Sequence, residues 1–72
     1  MNKEEFLEKL QDIFERDDEI TEDMVLDEID EWDSLSAMAV MAFFNKSLSI
    51  TLLPAEVREM KTIADLINKA GI

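Results

Sequence analysis

The N-terminal part of the chain alternates apolar and polar positions with a helical period. Asn2 and Glu5 have the spacing of a capping box. The pattern predicts an amphipathic helix over residues 3–16, ended by Asp17-Asp18 because aspartate favours caps and turns over helix interiors. Its apolar positions are Phe6, Leu7, Leu10, Ile13 and Phe14.

Residues 17–33 form an acidic stretch with no sustained period. We expect a long loop that holds a turn near Thr21–Met24. Loops of this length inside a compact domain are uncommon and are often functional. The apolar residues expected to hold this loop on the core are Ile20, Met24, Val25, Leu26 and Ile29.

The strongest apolar pattern begins at Ser34. Asp33 is a good N-cap residue, and it predicts a second helix over residues 34–48 with Ser34 at its first position. A helix with such a wide apolar side is buried against several neighbours or faces a partner or ligand. We interpret Met38 and Met41 as core side chains and Trp32 as a packing anchor at the end of the loop.

The last third of the chain predicts a connector and two shorter helices. Ser47–Leu52 alternates polar and apolar residues, but a single strand has no pairing partner, so we expect an extended segment that carries Ile50 and Leu52 into the core. Pro54 suits the first turn of a short helix over residues 55–60, which Val57 and Met60 attach to the core.

A final helix is predicted from the Thr62/Asp65 capping box to Gly71, which is a suitable C-terminal stop. The fold class is therefore all-α, with three main helices, one short helix and a long first loop, in a single domain over residues 1–72. The chain has no cysteine, and neither a targeting signal nor an apolar run of membrane-spanning length is recognisable. We therefore expect a cytoplasmic protein. We also expect a monomer.

Charge divides the chain into two unequal parts. Residues 1–33 hold 15 of the 18 acidic and 3 of the 7 basic residues, and the net charge of the whole chain is −11. Nucleic acids and anionic membranes require basic surfaces, so neither is an expected partner. We expect partners with basic protein surfaces, in encounters that salt weakens.

The segment Asp33-Ser34-Leu35 resembles the prosthetic-group site of acyl and peptidyl carrier proteins, and the order of the predicted helices is similar to the four-helix bundle of that family. Leu48, Ile50 and Leu52 match the family's Phe-Gly-Ile-x-Ile segment, with Ser49 in place of glycine. The start of the last helix, Thr62-Ile63, also looks like the family's Thr-Val pair.

This resemblance implies a carrier rather than an enzyme. A phosphopantetheinyl transferase would join 4′-phosphopantetheine from coenzyme A to the Ser34 hydroxyl, and a ligase would load acyl or aminoacyl cargo on its thiol for a downstream transferase or synthase. Asp33 and Leu35 would help recognition, the first through charge and the second by burial. We also expect the start of the second helix, with its free amides and positive dipole end, to favour the phosphate.

The sequence departs from the family pattern at two places. The second helix lacks the acids with which many members dock on their enzymes, and the acids before the serine, including Asp30 and Glu31, are candidate replacements. Trp32 and Glu31 stand where small residues are common in the family. We infer a specialised stand-alone carrier, with the cargo and pathway open. Either the small and flexible side chains of the second helix leave room for cargo to fold inward, or Phe43 and Phe44 fill that space and only short or polar cargo is carried.

The residue inventory offers little for catalysis. Without histidine or cysteine the usual nucleophile–base pairs and zinc sites are absent, the spacing of Asp27, Asp30 and Asp33 does not fit an EF-hand, and we assign no metal ligand. The alternative function is an unmodified acidic helical interaction module whose apolar second helix docks on a partner. In that case Ser34 would be incidental.

Overall fold

The computed structural model describes all 72 residues and contains four α-helices. They are α1 (Lys3–Phe14), α2 (Ser34–Leu48), α3 (Pro54–Glu59) and α4 (Ile63–Ala70). A single 3₁₀ turn at Leu26–Glu28 interrupts the first loop, and the chain forms no β-strand. The all-α class is confirmed. None of the helices combines the length and the apolar character needed to cross a membrane.

One cluster of 14 buried apolar residues forms the core, and every helix contributes to it. Phe6 of α1 lies at its centre, with its ring 5.8 Å from the rings of both Phe43 and Phe44 on α2. These tilted and edge-on arrangements are the favourable geometries for aromatic pairs. Phe43 and Phe44 therefore occupy the space between α1 and α2 with their own side chains.

Helix α1 is two residues shorter than predicted. Its capping box is present, because the Glu5 N–H donates to Asn2 Oδ1 at 2.8 Å and the Asn2 N–H donates to Glu5 Oε1. At the other end Glu15 adopts a left-handed conformation (φ 55°), and its N–H donates to Asp12 O. The helix thus ends before Asp17-Asp18, and Arg16 turns away to pair with Glu31.

The first loop is held to the molecule by backbone hydrogen bonds as well as by apolar side chains. The Leu26 N–H donates to Lys61 O at 2.8 Å, the Ile63 N–H donates to Met24 O at 3.0 Å, and Val25 and Thr62 form an isolated antiparallel bridge. The predicted turn near Thr21–Met24 is confirmed. Val25 is exposed, so the prediction that it anchors the loop is wrong, whereas Ile20, Leu26 and Ile29 are buried.

Helix α2 begins and ends at the predicted residues, but its apolar residues divide between two surfaces. Val40 and Phe44 are fully buried, whereas Leu35 is 77% and Met38 is 60% exposed. The interpretation of Met38 as a core side chain is therefore wrong, while Met41 packs against the core. Periodicity identifies apolar positions, but it does not tell which of two apolar stripes meets the neighbouring helices.

The C-terminal part follows the prediction closely. The residues between α2 and α3 form neither helix nor strand, with Leu52 buried and Ile50 packed on the core. Helix α3 is shifted one residue toward the N-terminus, so that Pro54 is its first residue and Met60 is its extended C-cap. Gly71 ends α4 with φ 78°, a conformation that glycine adopts without strain.

Candidate functional site

The start of α2 is fixed by a reciprocal pair of hydrogen bonds between Asp33 and Ser36. The Ser36 N–H donates to Asp33 Oδ1 at 2.9 Å, and the Asp33 N–H donates to Ser36 Oγ at 2.9 Å. Ser36 is almost buried. The prediction that Asp33 caps the helix is confirmed, and Ser36 is a cap partner that the sequence analysis did not identify.

The electrostatic state of Asp33 follows from this cap. The hydrogen bond from the Ser36 N–H is the main reason that the pKa of the Asp33 carboxyl lies below its usual value, and the Leu35 N–H adds a smaller contribution. Asp33 is therefore ionised at neutral pH. Because its carboxylate accepts from the Ser36 N–H, that amide is not free for a phosphate. The expectation that the start of the helix favours a phosphate stays a prediction.

Ser34 is the first residue of α2 and is exposed. Its hydroxyl makes no hydrogen bond within the chain, in contrast to the hydroxyl of Ser36 two residues further on. The chain contains no histidine that could act as a general base. The Ser34 hydroxyl is thus exposed and uses none of its hydrogen-bonding capacity within the chain.

The side chains of the three residues before Asp33 have different surroundings. The Trp32 ring packs edge-on against Phe14 with 5.8 Å between the ring centroids, as expected for a packing anchor. Glu31 Oε1 accepts a hydrogen bond from Arg16 Nη1 at 2.9 Å, so its carboxylate links the end of α1 to the start of α2. Asp30 is exposed. Of the candidate replacement acids, Asp30 forms no ion pair and is exposed to a partner, whereas Glu31 is half-buried and paired with Arg16.

An uncharged apolar stripe runs along the outer surface of α2 from the Ser34 end. Leu35, Met38, Ala39 and Ala42 are all exposed and follow one another at helical spacing, up to Asn45 and Lys46. This stripe contains the two most exposed large apolar side chains of the chain. Contiguous exposed apolar surface beside a polar rim is typical of interaction sites.

The grooves on the two sides of Ser34 differ in charge, because the charged residues lining one are all carboxylates, whereas the other is lined by two carboxylates and two cations. The groove between α1 and α2 has a volume of about 400 Å³ and is lined by three carboxylates, those of Glu15, Glu31 and Asp33, without a cation. The groove between α2 and α3 has a volume of about 350 Å³, and Ser34 lines it together with Arg58 and Lys61. The sequence analysis missed Arg58 and Lys61, which lie more than 20 positions away in the chain.

No group of three or more His, Cys, Asp or Glu side chains is arranged to hold a metal ion. The arrangement around Ser34 therefore consists of an accessible hydroxyl, a fixed carboxylate, an apolar stripe and a groove with two cations. It offers a point of attachment and surfaces for contact.

No protein-family model matches the chain, and neither a curated protein nor a solved structure is significantly similar to it.

Proposed function

We propose that the protein is an acyl-carrier-like domain that bears 4′-phosphopantetheine on Ser34 and presents acyl or aminoacyl cargo to partner enzymes. The observation that carries the proposal is the position of Ser34, an exposed serine with an unbonded hydroxyl at the first position of α2, directly after the Asp33 cap. The cap fixes the backbone that bears the hydroxyl. Leu35, next to it, is available for burial against a transferase.

The conformation of Ser49 also supports the proposal. Ser49 ends α2 with φ 55° and ψ 33°, in the left-handed region where glycine is favoured. This is the position at which the resemblance to the carrier family sets a glycine. The left-handed backbone at this position thus fits the glycine of the family pattern, although this chain has a serine there.

Attachment of the group requires one bond to form and one to break. Ser34 Oγ would bond to the phosphorus of the phosphopantetheine part of coenzyme A, the phosphoanhydride bond would break, and adenosine 3′,5′-bisphosphate would leave. The hydroxyl proton would pass to a base on the transferase. The attached group supplies a terminal thiol that holds cargo as a thioester, in a chain that has no cysteine.

Intact mass spectrometry tests the proposal. The wild type, Ser34→Ala and the control Ser47→Ala are incubated with a broad-specificity phosphopantetheinyl transferase, Mg²⁺ and coenzyme A. Ser47 is an exposed serine of the same helix, so its replacement tests whether any α2 serine suffices. We expect one phosphopantetheine on the wild type and on Ser47→Ala, and none on Ser34→Ala. An unmodified wild type, with a known carrier modified in parallel, would contradict the proposal.

The exposed apolar stripe of α2 favours a second candidate function, an unmodified interaction module. In that function Leu35 and Met38 would dock on an apolar partner surface, and the acidic first half of the chain would steer the encounter. The same mass measurement separates the two candidates, because an interaction module has no need for a modified Ser34.

A further inference from the structure

The inference concerns the negative charge that a phosphodiester would bring to Ser34, and it rests on the proposed function. Asp33 is ionised and adjacent in sequence, and its carboxylate already holds the Ser36 N–H at 2.9 Å. The start of α2 therefore offers a phosphate an unfavourable carboxylate, and the Ser36 amide is already occupied. A phosphodiester at Ser34 needs positive charge from another part of the molecule.

Positive charge is scarce in this chain, because it has 7 basic and 18 acidic residues. Three of the basic side chains, those of Lys3, Arg16 and Lys69, form ion pairs with carboxylates. Arg58 and Lys61 form none, although acids outnumber bases, and both line the groove that Ser34 also lines. Two uncommitted cations thus lie along the side of Ser34 that faces α3.

The elements around this groove hold the two cations in place. Arg58 belongs to α3, and Lys61 lies in the short link between α3 and α4. The Lys61 backbone is fixed at both of its polar groups, because its N–H donates to Asp65 Oδ2 at 2.8 Å and its carbonyl accepts from the Leu26 N–H at 2.8 Å. The Lys61 ammonium group forms no ion pair, although its charge is one of the smaller causes of the lowered pKa of Asp65.

We propose that Arg58 and Lys61 form a phosphate-binding pair for the phosphodiester on Ser34. Arginine binds phosphate through its planar fork of N–H groups, and lysine binds it as a point charge. The pair draws the start of the arm into the groove between α2 and α3 and away from the acidic groove on the α1 side, where the Glu15 carboxylate, which forms no ion pair, would repel it.

Acidic residues that line the groove between α2 and α3 limit how strongly Arg58 and Lys61 bind the phosphate. Asp33 is bound in the helix cap, whereas Asp27 lines the groove, is exposed and forms no ion pair. Asp27 competes with the phosphate for Arg58 and Lys61. Replacement of Asp27 by asparagine is therefore expected to strengthen the hold of the pair on the phosphate.

The test compares melting temperatures before and after attachment of the group. The variant R58Q/K61Q is matched by K9Q/K46Q, which removes the only other two lysines outside ion pairs and leaves the same net charge. All four replaced residues are exposed, so both variants are expected to fold. Each protein is converted completely by excess transferase, and the Arg58 Nε–H resonance is followed by NMR in the wild type.

We expect the change in melting temperature on attachment to be about 2–5 °C more positive in K9Q/K46Q than in R58Q/K61Q. The reason is that R58Q/K61Q cannot form the two exposed ion pairs between Arg58, Lys61 and the phosphate. The Arg58 Nε–H resonance should shift on attachment. The change in melting temperature on attachment should be more positive in D27N than in the wild type. Equal changes in the two double variants, with an unmoved Arg58 resonance, would overturn the inference. Failure of the wild type to be modified would instead contradict the proposed function.

Discussion

Asp33 contributes to folding through a charged hydrogen bond at the start of α2. Its carboxylate accepts from the Ser36 N–H, and this bond is the main cause of its lowered pKa. The folded-state pKa is therefore below the unfolded value of 3.8. The stability that this group contributes is fully present above the unfolded pKa and is lost as the pH falls through the folded pKa.

The variant Asp33→Asn keeps a side chain that can cap α2 but removes the ionisable carboxyl group. Asparagine caps helices about as well as aspartate but stays neutral, so the variant should lose less stability than the wild type on acidification. Urea unfolding at about pH 5.5 and about pH 2.5 measures this loss, and Glu56 and Asp65 titrate equally in both proteins. An equal loss in the two proteins would show that the Asp33 cap does not couple folding to pH.

Ser49 is a residue whose backbone conformation conflicts with its side chain. A β-carbon in the left-handed region meets the adjacent carbonyl oxygen, and glycine avoids this contact. We expect Ser49→Gly to raise the free energy of unfolding by about 0.5–1 kcal/mol. Ser47→Gly, inside the last turns of α2, should lower it by about 0.5 kcal/mol. Denaturation of both variants checks the sign, and a destabilised Ser49→Gly would contradict the assignment of strain.

At the scale of elements, α2 presents one apolar stripe to the core and another to the outside. Val40 and Phe44 are fully buried, whereas Leu35 and Met38 project from the molecule beside Ser34. The two stripes have different consequences for stability, because a truncated core side chain leaves a cavity and a truncated exposed one does not.

Phe44→Ala and Met38→Ala distinguish the two stripes on one helix. The first should lower the free energy of unfolding by about 3–5 kcal/mol, a large share of the stability of a chain this short. The second should change it by less than about 0.5 kcal/mol. Urea denaturation measures both, and a large loss in Met38→Ala would mean that Met38 belongs to the core after all.

Local signals in the sequence predicted the elements better than their ends or their neighbours. The Asp33 cap and the apolar run after it predicted α2 residue for residue. The end of α1 was wrong because the left-handed Glu15 has no side-chain signal, being neither glycine nor asparagine. The site was predicted at Ser34, but only the fold brings Arg58 and Lys61 to its groove. The backbone hydrogen bond between Leu26 and Lys61, which helps to hold this arrangement, has no sequence signature.

At the scale of the whole molecule, the chain has extents of 27 × 25 × 18 Å and one core, and its charge is unevenly distributed. The acids lie mainly in α1 and the first loop, and four of the seven bases lie in the second half. Ser34 lies at the boundary between these two parts. A group attached there would meet carboxylates toward α1 and cations toward α3.

The number of thiols per chain tests the central claim most directly, because the chain has no cysteine and any thiol must come from an attached group. Wild type and Ser34→Ala are treated with transferase, Mg²⁺ and coenzyme A, freed of coenzyme A by denaturing gel filtration, and titrated with a thiol reagent. We predict one thiol per wild-type chain and none in Ser34→Ala. No thiol in the wild type, while a known carrier treated alongside gains one, would contradict the carrier function.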